Sequence, residues 1–459
     1  MQENTIIELH EQQREFFSTK QTYSLEARKA ALEALISLVK DNEPRIFEAL
    51  KLDLGKSQFE SFIGETGFIV NEAKHAKKKL KSWMNKRRVK TPLIQFPARS
   101  YIVPEPLGVT LIISPWNYPF QLLFSPLIGA LSAGNTAMLK PSEMAPHISK
   151  LVAELVPKYF DKKLVTVVEG SIPETTSLLK LRFDHIFFTG NEFVGKVVMK
   201  AAAEFLTPVT LELGGKSPCA IFEVHDLDLV AKRIVWGKYF NSGQTCVAPD
   251  YLLIKKGKKE ELVKAIKKTI EEYYKDPKQS DDYGRIINKN HFERLEGLIE
   301  DEKVLLEYGS DKDSLYMGPI LIDANEFSSS MSGEIFGPLL PILEFDNFSE
   351  AIEFVRQRPK PLASYIFSDN DNNIEDWQSY ISSGGMCIND TVVHMSTETL
   401  PFGGVGPSGM GSYHGRDSFD TFSHLKSVMK RYLFWDLPVR YPPYTGKLSI
   451  IRKIFKLLG

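Results

Sequence analysis

Strands and helices alternate between residue 107 and about residue 212, and this alternation restricts the possible fold more than any other feature of the sequence. Short apolar runs, which are typical of strands, are separated by longer stretches whose apolar residues recur at helical spacing. The predicted strands are Val109–Ile113, Thr136–Leu139, Leu164–Val168, His185–Phe188 and Val209–Leu211. The predicted helices are Gln121–Ser132, Ala145–Tyr159 and Val194–Phe205. This alternation predicts an α/β fold in which helices cover a parallel sheet.

Polar or glycine-containing segments follow four of the predicted strands. They are residues 114–117, 140–143, 169–170 and 189–195. Ligands of open parallel sheets bind beyond the carboxyl ends of the strands. A binding or catalytic site is therefore expected where these segments meet.

The rest of the chain falls into parts of different character. With 459 residues it is too long for one ordinary core, so two or more domains are expected. Residues 1–84 have a helical pattern, whereas residues 85–105 contain three prolines and short β-type runs, which predict a hairpin or an extended arm. A second alternating region covers 213 to about 417, and a strand-like stretch, Leu425–Lys430, precedes a proline-rich tail.

Composition excludes several classes of function. Hydrophobic residues make up 43% and charged residues 25% of the chain, as in globular proteins, and the formal net charge is -1. Such a balance provides no overall field for nucleic acid, so no nucleic-acid partner is expected. The first residues are too polar for a signal peptide, and no apolar run is long enough to span a bilayer. We therefore expect a cytoplasmic protein.

The chain has three cysteines, and only one lies in a polar loop. Cys246 ends the sequence Asn-Ser-Gly-Gln-Thr-Cys, whereas Cys219 and Cys387 have apolar neighbours typical of core positions. Three scattered cysteines cannot form a disulfide framework and suggest a reducing compartment. Composition alone leaves Cys246 open as a nucleophile or as a structural residue. The nine histidines show no metal-ligand spacing, so no metal is expected.

Two polar residues at predicted strand ends are candidates for catalysis. Glu212 lies between leucines and precedes two glycines, so partial burial could raise its pKa toward that of a general base. The same pattern also fits an ordinary surface glutamate beside a glycine turn. Asn117 follows the first strand, where its amide could donate to an oxyanion, but turn asparagines are common in such bends.

Two further strand ends have features of nucleotide binding. Lys140 and Glu143 follow the second strand, and a carboxylate in this region can accept hydrogen bonds from ribose hydroxyls. Lys-Pro-Ser-Glu is also an ordinary helix start. Residues 189–195 resemble a phosphate-binding turn but lack the Gly-x-Gly-x-x-Gly spacing.

Seven motifs together, in this order, resemble those of the aldehyde dehydrogenase superfamily over nearly the whole chain. They are PLGVTLIISPWNYP (106–119), LKPSE (139–143), FFTGNEFVG (187–195), LELGGKSP (211–218), GQTC (243–246), EIFGP (334–338) and LPFGGVGPSGMGSYHG (400–415). The short N-terminal region and the last motif are similar to the class 3 branch. One position departs from the family pattern, because Pro407 stands where an asparagine is common. It lies outside the catalytic set.

The resemblance implies a fold with three parts. These are a Rossmann-like parallel-sheet cofactor domain, a second α/β catalytic domain and a small β arm for oligomerisation. The implied divisions are 1–84 with 106–211 for the dinucleotide-binding domain, 212–417 for the catalytic domain, 85–105 with 418–440 for the arm, and 441–459 for a C-terminal tail.

The resemblance also implies roles for individual residues. Cys246 matches the nucleophile, Asn117 the side-chain donor of the oxyanion hole and Glu212 the base that activates the deacylating water. The implied cofactor contacts are Lys140 and Glu143 at the adenosine ribose, Gly190 and Gly195 at the pyrophosphate, Glu334 and Phe336 at the nicotinamide ribose and ring, and also Trp116 and Gly215. The implied substrate pocket contains Tyr118, Trp236 and Phe240.

The implied reaction is the oxidation of an aldehyde to a carboxylic acid through a thioester on Cys246, with NAD as the cofactor and NADP as the alternative. The class 3 branch accepts medium and long aliphatic or aromatic aldehydes and favours homodimers. Three alternatives differ in class: a cysteine hydrolase with a histidine base, a non-catalytic binding protein and a coenzyme A-acylating dehydrogenase. The first would leave Lys140, Glu143 and Glu334 without a purpose, the second should have lost its catalytic residues, and the third typically lacks the base that Glu212 matches.

The last residues form a basic amphipathic segment. Leu448, Ile451, Phe455 and Leu458 fall on one face of a helix from Lys447, flanked by lysines and an arginine. Such a helix could make a weak peripheral contact with a membrane. The alternative, which we favour from the sequence, is that this face packs on the protein's own surface.

Overall fold

The structure, a computed structural model, describes residues 2–458, apart from the side chains of Leu457 and Leu458. The helices of this part of the chain are α1 (Glu3–Ser18), α2 (Leu25–Leu54), α3 (Gln58–Ser61), α4 (Gly67–Trp83), α5 (Gln121–Ala133), α6 (Pro146–Tyr159), α7 (Ile172–Leu179), α8 (Glu192–Ala203), α9 (Leu227–Tyr239), α10 (Lys259–Tyr274), α11 (Lys289–Gly297), α12 (Phe348–Arg356), α13 (Asp371–Tyr380), α14 (Gly415–Thr421) and α15 (Lys447–Leu458).

The strands are β1 (Arg87–Val89), β2 (Ala98–Pro106), β3 (Val109–Ile113), β4 (Thr136–Lys140), β5 (Val165–Val167), β6 (His185–Thr189), β7 (Val209–Glu212), β8 (Pro218–Ile221), β9 (Tyr251–Lys255), β10 (Lys303–Glu307), β11 (Ser310–Asp311), β12 (Tyr316–Met317), β13 (Ile320–Asp323), β14 (Leu339–Phe345), β15 (Ala363–Phe367), β16 (Gly385–Ile388), β17 (Gly409–Met410) and β18 (Ser423–Arg431).

The first sheet contains all five strands predicted between residues 107 and 212. Its order is β17-β7-β6-β3-β4-β5, and every pairing is parallel except that of β17 with β7. All five residues of β3 are buried, as expected when helices cover both faces of a parallel sheet. The predicted α/β fold with a parallel sheet is therefore confirmed.

Local hydrogen bonds explain where the predicted boundaries were wrong. Helix α8 begins at Glu192 rather than at Val194, because the Asn191 side chain accepts a hydrogen bond from the Val194 N–H at 2.9 Å and caps the helix. Strand β6 continues to Thr189, one residue beyond the predicted end.

A second sheet is formed by the later alternating region. Its order is β10-β13-β14-β9-β8-β15-β16, with parallel pairing throughout except between β10 and β13. Strand β17 lies in the same stretch of sequence but pairs with β7 of the first sheet, where Gly409 is opposite Glu212. The chain therefore returns to the first sheet beside the end of β7.

A separate antiparallel sheet of order β1-β2-β18 corresponds to the predicted arm. Strand β18 pairs with β2 over its full length, from Ser423 opposite Pro106 to Arg431 opposite Ala98. The hairpin or arm expected from residues 85–105 is therefore present, with the later strand as its third member.

Helix α2 ends next to the predicted site. Gly55 terminates it in the left-handed conformation, with φ of +66°, and a side chain there would lie 2.7 Å from Arg285 Cγ. This turn directs the following residue, Lys56, into the interior, where only 1% of it is exposed.

The predicted C-terminal helix is present as α15. The interpretation that its apolar face packs on the protein's own surface is wrong for Leu448 and Phe455, which are 59% and 63% exposed in the single chain. Ile451 is half-buried, and the Leu458 side chain lies outside the described residues. Among residues 2–458, no helix is both long and apolar enough to cross a membrane.

Candidate active site

Cys246 follows a short loop with an unusual backbone. Asn241, Ser242 and Gly243 have φ of +54°, +51° and +76°, a conformation that costs free energy for the first two residues. The loop is held by Gln244, whose side-chain amide donates to the Arg285 carbonyl at 2.9 Å and accepts from the Ile287 N–H at 3.0 Å. The loop therefore has a fixed, strained shape, as is frequent at functional sites.

The three cysteines differ in their surroundings. Cys219 is fully buried in β8, so the core prediction is confirmed for it, whereas Cys387 in β16 is only half-buried. Burial raises the pKa of the Cys246 thiol, and the nearby Glu334 and Glu212 carboxylates raise it further. Attack by a thiolate therefore requires loss of the Cys246 proton to a base during the reaction.

Asn117 lies beside the cysteine loop. Its side-chain N–H donates to the Gln244 carbonyl at 3.0 Å, and the residue is 2% exposed. The structure thus brings the Asn117 side chain to the loop of Cys246, although Asn117 follows a strand of the first sheet and Cys246 lies between two strands of the second. Within the described part of the chain, the Asn117 side-chain oxygen has no hydrogen-bond partner.

Glu212 is a buried carboxylate at the end of β7. It is 2% exposed, and neither of its carboxylate oxygens has a hydrogen-bond partner among residues 2–458. Burial therefore raises its pKa well above the ordinary value. These surroundings exclude the alternative of an ordinary surface glutamate. An unpaired buried carboxylate close to Cys246 suits a general base.

Lys140 and Glu143 lie together at the end of β4. The Lys140 ammonium donates to the Pro141 carbonyl at 2.7 Å and lies 3.4 Å from the Glu143 carboxylate. Lys140 is almost fully buried, whereas the Glu143 side chain is 47% exposed. Burial lowers the pKa of Lys140, and the Glu143 charge opposes this shift. Glu143 is therefore free to accept from a ligand at the strand end.

The two glycines of the predicted pyrophosphate turn have different local roles. The Gly190 N–H donates to the Glu212 carbonyl at 2.9 Å, which joins the ends of β6 and β7. A side chain at Gly195 would lie 2.9 Å from Leu213 Cδ2, so Gly195 permits close packing of α8 on the sheet. The α8 N-terminus lies at this strand end, where backbone N–H groups can bind a phosphate.

Glu334 packs against the glycines that follow β7. It accepts from the Gly215 N–H, and a side chain at Gly214 would lie 2.1 Å from its carboxylate. Gly215 has φ of +147°, which favours glycine. Burial and the Asp250 charge raise the pKa of Glu334 to about 8. Sequence reasoning singled out Gly215 but missed Gly214.

Trp116 and Phe336 meet in one aromatic cluster. Their ring centroids are 5.3 Å apart, and the His291 ring lies 5.2 Å from that of Trp116. His291 also forms a 2.8 Å hydrogen bond with the Phe336 carbonyl. Sequence reasoning missed His291, because it lies in an ordinary helix start without a motif.

The three residues predicted for the substrate pocket form one apolar cluster. The Tyr118 and Phe240 rings are stacked with centroids 6.3 Å apart, and the Trp236 ring lies 5.6 Å from that of Phe240. Ile63 and Leu122 complete the cluster. The Tyr118 hydroxyl shares a hydrogen bond of 2.7 Å with Thr245, the residue before Cys246.

Comparisons with known proteins agree with this geometry. The model of the aldehyde dehydrogenase family matches residues 1–428. The chain is 47% identical to 4,4'-diaponeurosporen-aldehyde dehydrogenase from Staphylococcus aureus, over 96% of this chain and 97% of that protein. It is 48% identical to a dimeric NADP-preferring aldehyde dehydrogenase from Rattus norvegicus, over 95% of this chain and 97% of that protein. It is 47% identical to aldehyde dehydrogenase family 3 member H1 from Arabidopsis thaliana, over 98% of this chain and 94% of that protein.

A solved structure of Staphylococcus aureus AldH in a substrate-bound state is also similar. It superposes with a TM-score of 0.96 at 46% identity, covering 98% of this chain and 99% of that one. The fold and the strand-end site define an NAD(P)-dependent oxidoreductase that converts aldehydes to carboxylic acids. The chain belongs to the aldehyde dehydrogenase family, as its motifs predicted, and its similarity to family 3 members confirms the class 3 resemblance.

Proposed function

We propose that Cys246 is the nucleophile of this oxidation, with Asn117 as oxyanion donor and Glu212 as the base for hydrolysis. The observation that carries the proposal is the meeting of three groups from separate segments. They are a thiol on a strained loop, an amide directed at that loop, and a buried carboxylate without a hydrogen-bond partner among residues 2–458. Burying a carboxylate without a partner costs free energy, and a catalytic role of Glu212 accounts for this cost.

The residues would act in sequence. The partly exposed Cys246 thiol loses its proton to solvent water, and the thiolate adds to the aldehyde carbon as the carbonyl π bond breaks. The resulting oxyanion accepts hydrogen bonds from the Asn117 amide and the Cys246 backbone N–H. Loss of hydride leaves a thioester on Cys246. Glu212 then removes a proton from water, which attacks the thioester carbon and releases the acid and the thiol.

The strand ends of the first sheet fit a dinucleotide. Glu143 has the exposure to accept from ribose hydroxyls, and the α8 N-terminus can bind the pyrophosphate. One Glu334 carboxylate oxygen has no partner in the described part of the chain, which suits a hydroxyl donor near the nicotinamide. NAD(P), when bound, supplies the hydride acceptor. Trp116, Phe336, Lys140, Gly190, Gly195 and Gly215 are the other proposed contacts.

The presence of Glu212 also favours hydrolysis of the thioester over transfer of the acyl group to coenzyme A. An acyl-transferring enzyme needs no base to activate water, so an unpaired buried carboxylate at the thioester favours release of a free acid.

We propose medium or long aliphatic aldehydes, or aromatic ones, as the substrates. The cluster of Tyr118, Trp236, Phe240 and Leu122 offers an apolar wall beside the cysteine loop. The Staphylococcus aureus relative is named for one aldehyde, 4,4'-diaponeurosporen-aldehyde.

The assembly proposed is a cytoplasmic homodimer that uses the β1-β2-β18 sheet as its arm. The rat relative is named dimeric, which supports the dimer. We keep the domain division that the sequence suggested. The dinucleotide-binding domain is 1–84 with 106–211, the catalytic domain is 212–417, the arm is 85–105 with 418–440, and the tail is 441–459.

The substitution Cys246→Ala tests the proposal. It should abolish aldehyde oxidation and leave the dissociation constant for NAD or NADP within about twofold of the wild type, because only the nucleophile is removed. Cys387→Ala is the control, since this cysteine belongs to β16 and has no part in the proposed site, and the variant should keep its activity. Full activity of Cys246→Ala would exclude the thioester mechanism.

A further inference from the structure

A buried ion pair lies directly behind the segment that carries Asn117. The Lys56 ammonium is 2.5 Å from one Glu65 carboxylate oxygen, and neither side chain is exposed to solvent. The same ammonium donates to the backbone carbonyl of Asn117 at 2.9 Å. Lys56 therefore contacts the proposed oxyanion donor through the backbone carbonyl of Asn117.

Glu65 holds the other end of the same segment. Its second carboxylate oxygen accepts from the backbone N–H groups of Phe120 at 3.1 Å and Gln121 at 2.7 Å. Glu65 lies in a π-helical turn, Phe62–Thr66, a rare geometry that is frequent at functional sites. The ion pair thus fixes the backbone on both sides of Tyr118 and Pro119.

Lys56 also touches the wall of the proposed substrate pocket. Its ammonium lies 3.9 Å from the centroid of the Tyr118 ring, and the Tyr118 hydroxyl bonds to Thr245 at 2.7 Å. The Asn117 carbonyl accepts a second hydrogen bond, from the Asn241 side chain at 2.9 Å. The contacts of Lys56 therefore lead to two residues of the loop before Cys246: Thr245 through Tyr118, and Asn241 through the Asn117 carbonyl.

Stability is a poor explanation for this arrangement. Removing two charges from water costs several kcal/mol per ion, and apolar residues of similar volume often stabilise a core at least as well. Oxyanion donors, by contrast, must be placed to within a fraction of an ångström, and a misplacement of about 1 Å can cost on the order of 100-fold in rate. The position of the ion pair, at the backbone on both sides of Tyr118 and Pro119, suits the precise placement of the Asn117 amide.

We propose that Lys56, together with Glu65, is a positioning residue that sets the place of the Asn117 amide for the addition step. The proposal rests on the role of Asn117 given above. It assigns a part in the chemistry of Cys246 to Lys56, which follows α2, and to the π-helical turn, both outside the motifs.

The test is a double-mutant cycle between Lys56 and Asn117, read by rapid-mixing measurements of NADH formation. Lys56→Met should lower the burst rate about 10- to 100-fold, with the dissociation constant for NAD within about twofold of the wild type. In the Asn117→Ala background, where there is no amide to position, the same substitution should cost less than about threefold. Lys77→Met, which removes an exposed ion-paired lysine on α4, is the control and should change neither quantity.

Two further variants keep the test decisive if Lys56→Met does not fold. Lys56→Arg keeps the charge but changes the geometry, and Glu65→Gln keeps an acceptor for the two N–H groups. Each should slow the burst in the wild-type background and have little effect in Asn117→Ala. Equal losses in both backgrounds would overturn the positioning role. An unchanged burst in Asn117→Ala alone would instead refute the oxyanion role of Asn117.

Discussion

The side-chain amide of Asn117 donates a hydrogen bond to the backbone carbonyl of Gln244, 3.0 Å away and two residues before Cys246. Asn117 follows β3 of the first sheet, whereas Gln244 belongs to the loop after α9, between two strands of the second sheet. The bond therefore joins the two halves of the site before substrate arrives. A donor held in this way needs little reorganisation when an oxyanion forms nearby.

Replacing Glu212, the proposed base, should slow hydrolysis of the thioester much more than its formation. In Glu212→Gln, the first turnover should still give a rapid burst of NADH, followed by turnover slowed about 100-fold or more, because only activation of water is lost. Stopped-flow absorbance gives both phases. Glu48→Gln, which changes an exposed glutamate of α2, is the control. Loss of the burst itself would contradict this assignment and place Glu212 in an earlier step.

Cofactor choice should depend on Glu143. A carboxylate at the ribose repels a 2′-phosphate, so the wild type should prefer NAD, and Glu143→Gln should improve the relative affinity for NADP about tenfold. Fluorescence titration with both cofactors measures this ratio. The rat relative is named NADP-preferring, and the half-exposed Glu143 side chain has room to turn away. A strong NADP preference of the wild type would show that Glu143 does not contact the ribose.

Glu72 should make stability depend on pH. It is 3% exposed on α4, and burial, with the charge of Glu398, raises its pKa from about 4.5 to about 8. Between these values the folded chain holds a proton that the unfolded chain has lost. Stability therefore falls as the pH rises from about 4.5 to about 8, and it levels off above that.

The substitution Glu72→Gln should remove this slope. Relative to wild type, it should gain on the order of 3 kcal/mol of stability when the pH rises from about 5 to about 8. Melting temperatures measured across this range, with exposed Glu48→Gln as the control, give the comparison. Parallel curves for wild type and Glu72→Gln would show that Glu72 is not protonated in the folded chain.

The sequence was sufficient for features that depend on local pattern. The strand β3 was predicted to the residue, because a short apolar run bounded by glycine and Ser-Pro has few alternatives. Cys246, Asn117 and Glu212 could be singled out because each lies in a compact motif. For Glu212 the local pattern left partial burial and a surface position both open. It could not decide between them, because β17, which pairs with β7 at Glu212, comes from much later in the chain.

Other parts of the site depend on contacts that leave no local pattern. The Lys56–Glu65 pair meets the Asn117 segment only because α2 ends at a left-handed glycine and a π-helical turn follows. His291 reaches Trp116 from an unrelated helix start. Such contacts between distant segments have no period or spacing that one sequence reveals.

The C-terminal helix should bind weakly to an anionic membrane. Leu448, Ile450 and Phe455 of α15 are at least half exposed, and basic residues flank them. An interfacial helix of about a dozen residues gives only modest affinity, which basic side chains increase when the lipid is anionic. The intact protein should therefore co-sediment with phosphatidylserine-containing vesicles at low salt, less so at about 0.5 M salt, and not at all when truncated after Tyr444. Phe455→Ser should weaken binding without changing oxidation of a short aldehyde, because the helix lies outside the proposed site. If neither form sediments and truncation instead changes the Michaelis constant for long-chain aldehydes, the helix acts on substrate entry and the membrane contact is wrong.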